Sequence, residues 1–259
     1  MGFKGEPKTM CIIAIKPADR PMFADEQIRV MFANNPHGAG LCYYHKDAHR
    51  VAIKKGFMDV ESLLKYLHSR DFNGVNVILH FRISTSGYRD DLNCHPFPVY
   101  AKNKTACFTK MAVAHNGILR DYEPAKNSAI NDTQVFIHRV LSRLSPNFVR
   151  SQDKLTLIEE LIGTNKLAFL DEKNRVTTIG QFITDDGYLY SNDSYKAYKV
   201  KKTPKPVKVY TSCKDDFKDD INDYLEDDRG YTPWTGYVQS PADIDTDIWA
   251  YLDRDLLGY

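Results

Sequence analysis

No stretch of the 259-residue chain is apolar for the roughly 20 residues a membrane-spanning helix needs. The N-terminus lacks an apolar signal region too: Met1 to Thr9 is polar and carries Gly2, Gly5 and Pro7. Five cysteines, Cys11, Cys42, Cys94, Cys107 and Cys213, include no C-x-x-C pair. Their odd number argues against a disulfide framework or a zinc ribbon and for a reducing compartment. No His, Cys and Asp pattern has metal-ligand spacing, so no metal or other cofactor is expected. Charge of one sign is also missing, the formal net being +1. That leaves no electrostatic footprint for nucleic acid or a membrane surface. Internal repeats are absent. These absences point to a cytoplasmic enzyme or binding module that acts on small molecules or proteins.

What is present is 42% hydrophobic and 27% charged, enough for one sizeable core. Apolar runs predict strands at Cys11 to Ile15, Leu41 to Tyr44, Val51 to Lys54, Val75 to Phe81 and Met111 to Ala114. Two hairpins follow, Lys166 to Leu170 with Arg175 to Ile179, and Phe182-Ile183 with Tyr188 to Tyr190. Helical spacing covers Glu26 to Ala33, Val60 to Ser69, Thr133 to Leu144 and Leu155 to Ile162, with Asp132 at a capping position before the third. Strands outnumber helices and do not alternate with them, which is an α+β pattern. Near residue 200 the composition changes. Lys199, Lys201, Lys202, Lys205 and Lys208 with Pro204 and Pro206 read as an extended linker, and an acidic segment with Trp234 and Trp249 follows. The expected organisation is a leader over 1–10, a domain over 11–198, and a linker with an acidic extension over 199–259.

Met10-Cys11-Ile12-Ile13 is the stretch around which a chemistry can be built. With Met10 gone, Cys11 would hold a thiol and a free α-amine, a nucleophile beside its own base. The α-amine titrates near 7.7–8.0 in reference peptides, about right for taking a proton at neutral pH. Four other segments stand in order behind it: His80-Phe81-Arg82-Ile83-Ser84-Thr85-Ser86-Gly87, Asn93-Cys94-His95-Pro96-Phe97, His115-Asn116-Gly117-Ile118 and Asn131-Asp132-Thr133-Gln134.

This ordered set resembles the glutaminase domain of the class II glutamine amidotransferases, which are N-terminal nucleophile hydrolases. The later Gly180-Gln181-Phe182 to Tyr190-Ser191-Asn192 resembles that family's closing hairpins. The resemblance covers about Cys11 to Tyr198. It implies a four-layer αββα sandwich with two stacked, mostly antiparallel sheets. It implies Cys11 as nucleophile and Asn116 with Gly117 as the oxyanion site. Arg82 would hold the substrate α-carboxylate and Asp132 the α-ammonium, with Thr85 and Gly87 lining the same pocket. His80 and His115 read as packing histidines, and His95-Pro96-Phe97 as a structural loop near the pocket.

Glutamine is the implied substrate, and an ammonia-accepting synthase or other protein the implied partner. The sixty or so residues after the domain are too few and too acidic to be that synthase themselves. Two departures stand out: Ile12 replaces the usual glycine after the nucleophile, and Ile83 the usual aromatic after the arginine. The competing reading is a catalytically silent domain of this fold used as an interaction module.

Overall fold

The computed structural model describes residues 10–84, 87–126 and 128–197. Residues 1–9 of the leader, Thr85, and Tyr198 with the extension beyond it therefore lie outside the described residues.

Eleven strands and four α-helices are described, in the order β1 (Ile12–Lys16), α1 (Asp25–Asn34), β2 (Ala39–His45), β3 (Arg50–Phe57), α2 (Val60–His68), β4 (Val77–Phe81), β5 (Phe97–Pro98), β6 (Ala106–Thr109), β7 (Met111–Asn116), α3 (Asp132–Arg139), α4 (Gln152–Ile162), β8 (Lys166–Asp171), β9 (Val176–Ile179), β10 (Ile183–Asp185) and β11 (Tyr188–Tyr190). They form a seven-stranded sheet, β10-β11-β1-β4-β2-β3-β6, and a four-stranded sheet, β5-β7-β8-β9. All the described pairings are antiparallel.

The period of two along each strand separates the core into three apolar layers. Ile12 and Ala14 of β1, with Val77, Leu79 and Phe81 of β4, face Ile28 and Met31 of α1 and Leu63, Leu64 and Leu67 of α2. Ile13 and Ile15, with Ile53 and Ile78, turn the other way and meet Ala112, Ala114 and Ala168 of the second sheet. Large side chains on one sheet thus fill the space left by small ones on the other, as close packing requires. Met111, Val113, Leu167 and Phe169 face outward again, onto Phe136 and Ile137 of α3 and Ile158 and Ile162 of α4. Helices, sheet, sheet and helices make the four-layer αββα sandwich. Ile12, where the family usually has glycine, is fully buried in the α1–α2 layer. A side chain at that position faces the helices and not the space between the sheets.

The differences from the sequence-based expectations are local. The third helix stops at Arg139, because Val140 adopts φ −124°, ψ −67°, and a 3-10 turn over Leu141–Arg143 replaces the last turns. Its N-cap is Asn131, whose side chain accepts from the Gln134 N–H, while Asp132 is the first helical residue. Ala39 and Gly40 belong to β2 and not to the preceding loop. β5 and β6 had no sequence signal: one is two residues long and ends in Pro98, the other an edge strand paired only to β3.

Candidate active site

Cys11 stands at the mouth of β1, one residue before the first ladder pair, Ile12 with Phe81 of β4. That register brings it beside the residues that follow β4. The Cys11 thiol donates to the Ile83 carbonyl and accepts from the Ile83 N–H, each at 3.2 Å. Burial pushes the thiol up to about 11, against the lowering effect of the Ile83 backbone and the Arg82 charge. The thiol is therefore protonated at neutral pH, and its reaction needs a base. Met10, directly before Cys11, is exposed.

Arg82 directly follows β4 and is 2% exposed. Its guanidinium donates to the Tyr88 carbonyl at 2.9 Å and to Ser84 Oγ at 3.1 Å. Burial lowers its pKa. Asp132 opens α3 with its carboxylate held from both sides: Oδ2 accepts from the Leu119 N–H at 2.7 Å and Oδ1 from the Thr133 N–H at 2.8 Å. A cavity of about 20 Å³ is lined by Cys11, Arg82, Ile83, His95, His115, Gly117, Asn131 and Asp132. That is room for about one water molecule. A larger cavity, about 210 Å³, lies under α1 and α2 near Phe23, Leu67 and Phe72 and touches none of these residues.

Asn116 ends β7, in the second sheet, and crosses to the first. Its Nδ2 lies 2.7 Å from Ser191 Oγ, which also accepts from the Ile13 N–H at 2.9 Å. Asn116 Oδ1 is buried with no hydrogen-bond partner among the described residues. A hydroxyl that accepts from Ile13 still has its own proton to give. Half a turn of the Asn116 amide lets Oδ1 take that proton and puts Nδ2 at the partnerless position. The amide then offers N–H groups to a buried point that has no acceptor among the described residues. Gly117 follows at φ +143°, and an added Cβ would stand 1.7 Å from Asn165 Oδ1. Only glycine fits there.

Three buried histidines back the cavity. His115 Nε2 faces Asn165 Oδ1 at 3.1 Å, and its Nδ1 faces the Thr133 hydroxyl at 2.8 Å. His95 Nε2 approaches the same hydroxyl at 3.2 Å, and His80 Nε2 faces the His115 carbonyl at 3.1 Å. Burial lowers all three, His80 to about 3, so they are neutral at physiological pH. Among the described residues no cluster of three His, Cys, Asp or Glu could hold a metal ion. No described helix is long and apolar enough to cross a membrane.

The structure thus gathers Cys11, Arg82, Gly117 and Asp132 around one cavity, with Asn116 in the same strand end as Gly117. Gly87 lies one layer back, where an added Cβ would meet Asn131 Cβ at 3.2 Å. Ser191 and Asn192, which the sequence reading placed only in a closing hairpin and gave no role, stand beside Asn116 and Cys11. Ser191 joins the two sheets, and Asn192 Nδ2 holds the Cys11 carbonyl at 2.8 Å. Their signal was visible as two small polar residues directly after an aromatic strand, but nothing in the sequence shows which strand they meet.

A sequence model of the class II glutamine amidotransferases matches residues 23–205, most of the chain. The chain belongs to the class II glutamine amidotransferases. The match begins after Cys11, so the position of the thiol in this family member rests on geometry and on the motif around it. Among curated relatives, glutamine–fructose-6-phosphate aminotransferases (isomerizing) are similar. The Pyrococcus horikoshii protein is 30% identical over 122 residues, 43% of this chain and 19% of its own length. That from Thermotoga maritima is 34% identical over 152 residues, 54% of this chain and 23% of its own. The chain therefore spans about a fifth of the length of these relatives. A solved glutamine phosphoribosylpyrophosphate amidotransferase from B. subtilis shares 16% identity at a TM-score of 0.41, over 62% of this chain and 35% of that one.

Proposed function

We propose that residues 11–198 form a glutaminase that hydrolyses the side-chain amide of glutamine through a Cys11 thioester and gives up ammonia to an acceptor or partner still to be identified. The observation that carries this reading is the convergence of Cys11, Arg82, Gly117 and Asp132, from four separated segments, on one cavity. Membership of the class II glutamine amidotransferases supplies the amide chemistry.

The steps follow from the groups. Arg82 takes the α-carboxylate of glutamine, and Asp132 the α-ammonium. The Cys11 thiol is protonated, so the Cys11 α-amine takes its proton as sulfur attacks the amide carbon. The oxyanion that forms is held by the Asn116 amide and the Gly117 N–H. The amine passes the proton to the departing nitrogen, the C–N bond breaks, and ammonia leaves a thioester. Water, deprotonated by the same amine, cleaves the thioester through a second oxyanion. Glutamate leaves and the thiol is restored, so that glutamine and water have become glutamate and ammonia.

This scheme needs a terminal Cys11, because a peptide nitrogen is not a base. Removal of the leader, by initiation at Met10 or by cleavage after it, is part of the proposal. Free thiols at Cys11, Cys42, Cys94 and Cys107 fit a reducing cytoplasm. The cavity is smaller than glutamine, so the pocket must widen on binding.

One observation favours the silent-module reading: the half-buried Cys11 thiol is bonded to both the carbonyl and the N–H of Ile83 and is poorly ionised. A coupled ammonia assay separates the two. Protein confirmed by N-terminal sequencing to start at Cys11 should release ammonia from glutamine. Cys11→Ala should abolish release, and the chain that keeps Met1 to Met10 should be folded and inert. A terminal Cys11 without ammonia release favours the silent module; equal activity with the leader attached removes the α-amine from the mechanism.

A further inference from the structure

Lys55 on β3 is 2% exposed and far from ordinary for a lysine, since no carboxylate meets it directly. Its Nζ donates to Asn103 Oδ1 at 2.5 Å and to the Leu92 carbonyl at 2.9 Å, and lies 3.9 Å above the Phe97 ring. From Asn103 the bonds continue in one direction. Asn103 Nδ2 donates to Gln134 Oε1 at 3.0 Å. Gln134 Nε2 donates to Asn93 Oδ1 at 2.8 Å. Asn93 Nδ2 donates to Asp90 Oδ1 at 3.0 Å and Oδ2 at 3.2 Å. Three side-chain amides thus run head to tail from a buried amine to a carboxylate. Turning any one amide over would set donor against donor on one side and acceptor against acceptor on the other. A chain of this kind is polarised from end to end, and its links strengthen one another.

The chain ties together the two walls of the candidate site. Gln134 lies in the first turn of α3, two residues after Asp132. Asn93 also donates to the Ala129 carbonyl at 2.7 Å, just before that helix. Asp90 lies in the loop that leaves Arg82, close enough for each charge to shift the titration of the other. Gly87, in the same loop at φ +68°, comes so close that an added Cβ would meet Asn93 Oδ1 at 3.0 Å. The wall with Arg82 and the wall with Asp132 therefore share one set of amides.

We propose that the chain Lys55–Asn103–Gln134–Asn93–Asp90 is a positioning device that fixes the separation of Arg82 from Asp132, and so sets the grip on the amino-acid end of the substrate. None of its members touches the reacting atoms. The proposal rests on the glutaminase reading for the identity of the substrate, but the coupling of the two walls can be measured without substrate.

The test uses Gln134→Met and Asn103→Asp, which act at partly buried positions, and their double variant, in the full chain starting at Cys11. Amide hydrogen exchange at residues 90–94 and 129–133 should quicken about tenfold in each single variant. The KM for glutamine should rise about five- to tenfold, the scale of a neutral hydrogen bond, with kcat within about twofold of wild type. The double variant should be no worse than the poorer single, because breaking one chain twice costs little more than breaking it once. Unchanged exchange overturns the proposal whatever the activity. Faster exchange with unchanged KM, or with kcat as the parameter that falls, overturns it in favour of a purely structural role. Additive effects in the double variant overturn the single chain. If exchange quickens but wild type releases no ammonia, the glutaminase reading falls and takes the substrate grip with it, while the coupling of the two walls stands.

Discussion

The two halves of the candidate site are built from different material. The half around Cys11 is carried by strand ends. Cys11 precedes β1, Asn116 ends β7, and Ser191 follows β11, with the Ser191 hydroxyl bonded to both sheets. Strand pairing fixes these positions before any side chain is considered. The half around Arg82 and Asp132 is carried by the loop after β4 and the first turn of α3: Arg82 is steered by the Tyr88 carbonyl, Asp132 by the Leu119 N–H, and both walls by the amide chain behind them. The comparison teaches a division of labour. On the proposed reading, the groups that would meet developing charge sit on the rigid sandwich, and those that would bind the ends of a substrate sit on segments that side chains hold in place. The small cavity agrees with this, since loops held by hydrogen bonds can widen where paired strands cannot.

Substitutions should break the two halves differently. On the strand half, Asn116→Ala should lower kcat by about 10²–10³ with KM little changed, because the amide acts on the oxyanion and not on bound glutamine. Steady-state kinetics decide this, and a loss confined to KM would move Asn116 out of the oxyanion role. On the loop half, Arg82→Gln and Asp132→Asn should weaken glutamine binding about ten- to a hundredfold, the scale of one charge-assisted contact each. Titration calorimetry on a Cys11→Ala background reads this directly, without turnover. Unchanged affinity in Arg82→Gln would show that the guanidinium serves the protein's own structure and not the substrate.

Legibility in the sequence follows the same division. β1, β4, β7 and β8 each carry an unbroken apolar run, Ile12 to Ile15, Val77 to Leu79, Met111 to Ala114 and Leu167 to Leu170, and this marked them as buried strands. The ordered motifs then gave the site residues through resemblance. Asp132 shows where a local reading stops. It looked like a cap, but Asn131 caps the helix, which leaves the Asp132 carboxylate to Leu119 and the cavity. Both residues are good capping types at adjacent positions, and only the backbone decides between them. Lys55 was unreadable for a different reason. In sequence it is one of two lysines in an alternating strand, Val51 to Lys54 with Lys55 beyond. Its burial depends on the 91–95 loop folding over β3 and on Asn103 arriving to accept its proton, neither of which periodicity carries. Ser191 likewise depends on a partner in the other sheet.

The smallest effect expected is a pH dependence of stability that belongs to Lys55. Burial pulls Lys55 down from its ordinary 10.5 to about 7, against the raising influence of Cys94, Cys107 and Asp90 and with that of Arg82. Between those two values the unfolded chain holds a proton that the folded one has released, so stability rises with pH across that window and is flat below it. The sign is opposite to that of a lysine in an ion pair. Cys94 and Cys107 are pushed up from 9.0 to about 11, so above pH 9 the unfolded thiols ionise first and oppose the trend. The clean interval is therefore pH 7 to 9. In the neutral form Lys55 still has two N–H groups for Asn103 and Leu92, so the amide chain keeps its direction across the interval. Urea unfolding of wild type and Lys55→Met at several values in that range should show wild type gaining on the variant as pH rises. The slope of the difference should approach about 1.4 kcal/mol per pH unit, one whole proton. The Met variant takes the Lys55 donor from Asn103 Oδ1 at every pH, while the Leu92 carbonyl keeps its bond from Asn103 Nδ2, which shifts the difference without tilting it. A difference that does not change with pH would mean that Lys55 stays charged in the folded protein, and that the chain starts from a full ammonium.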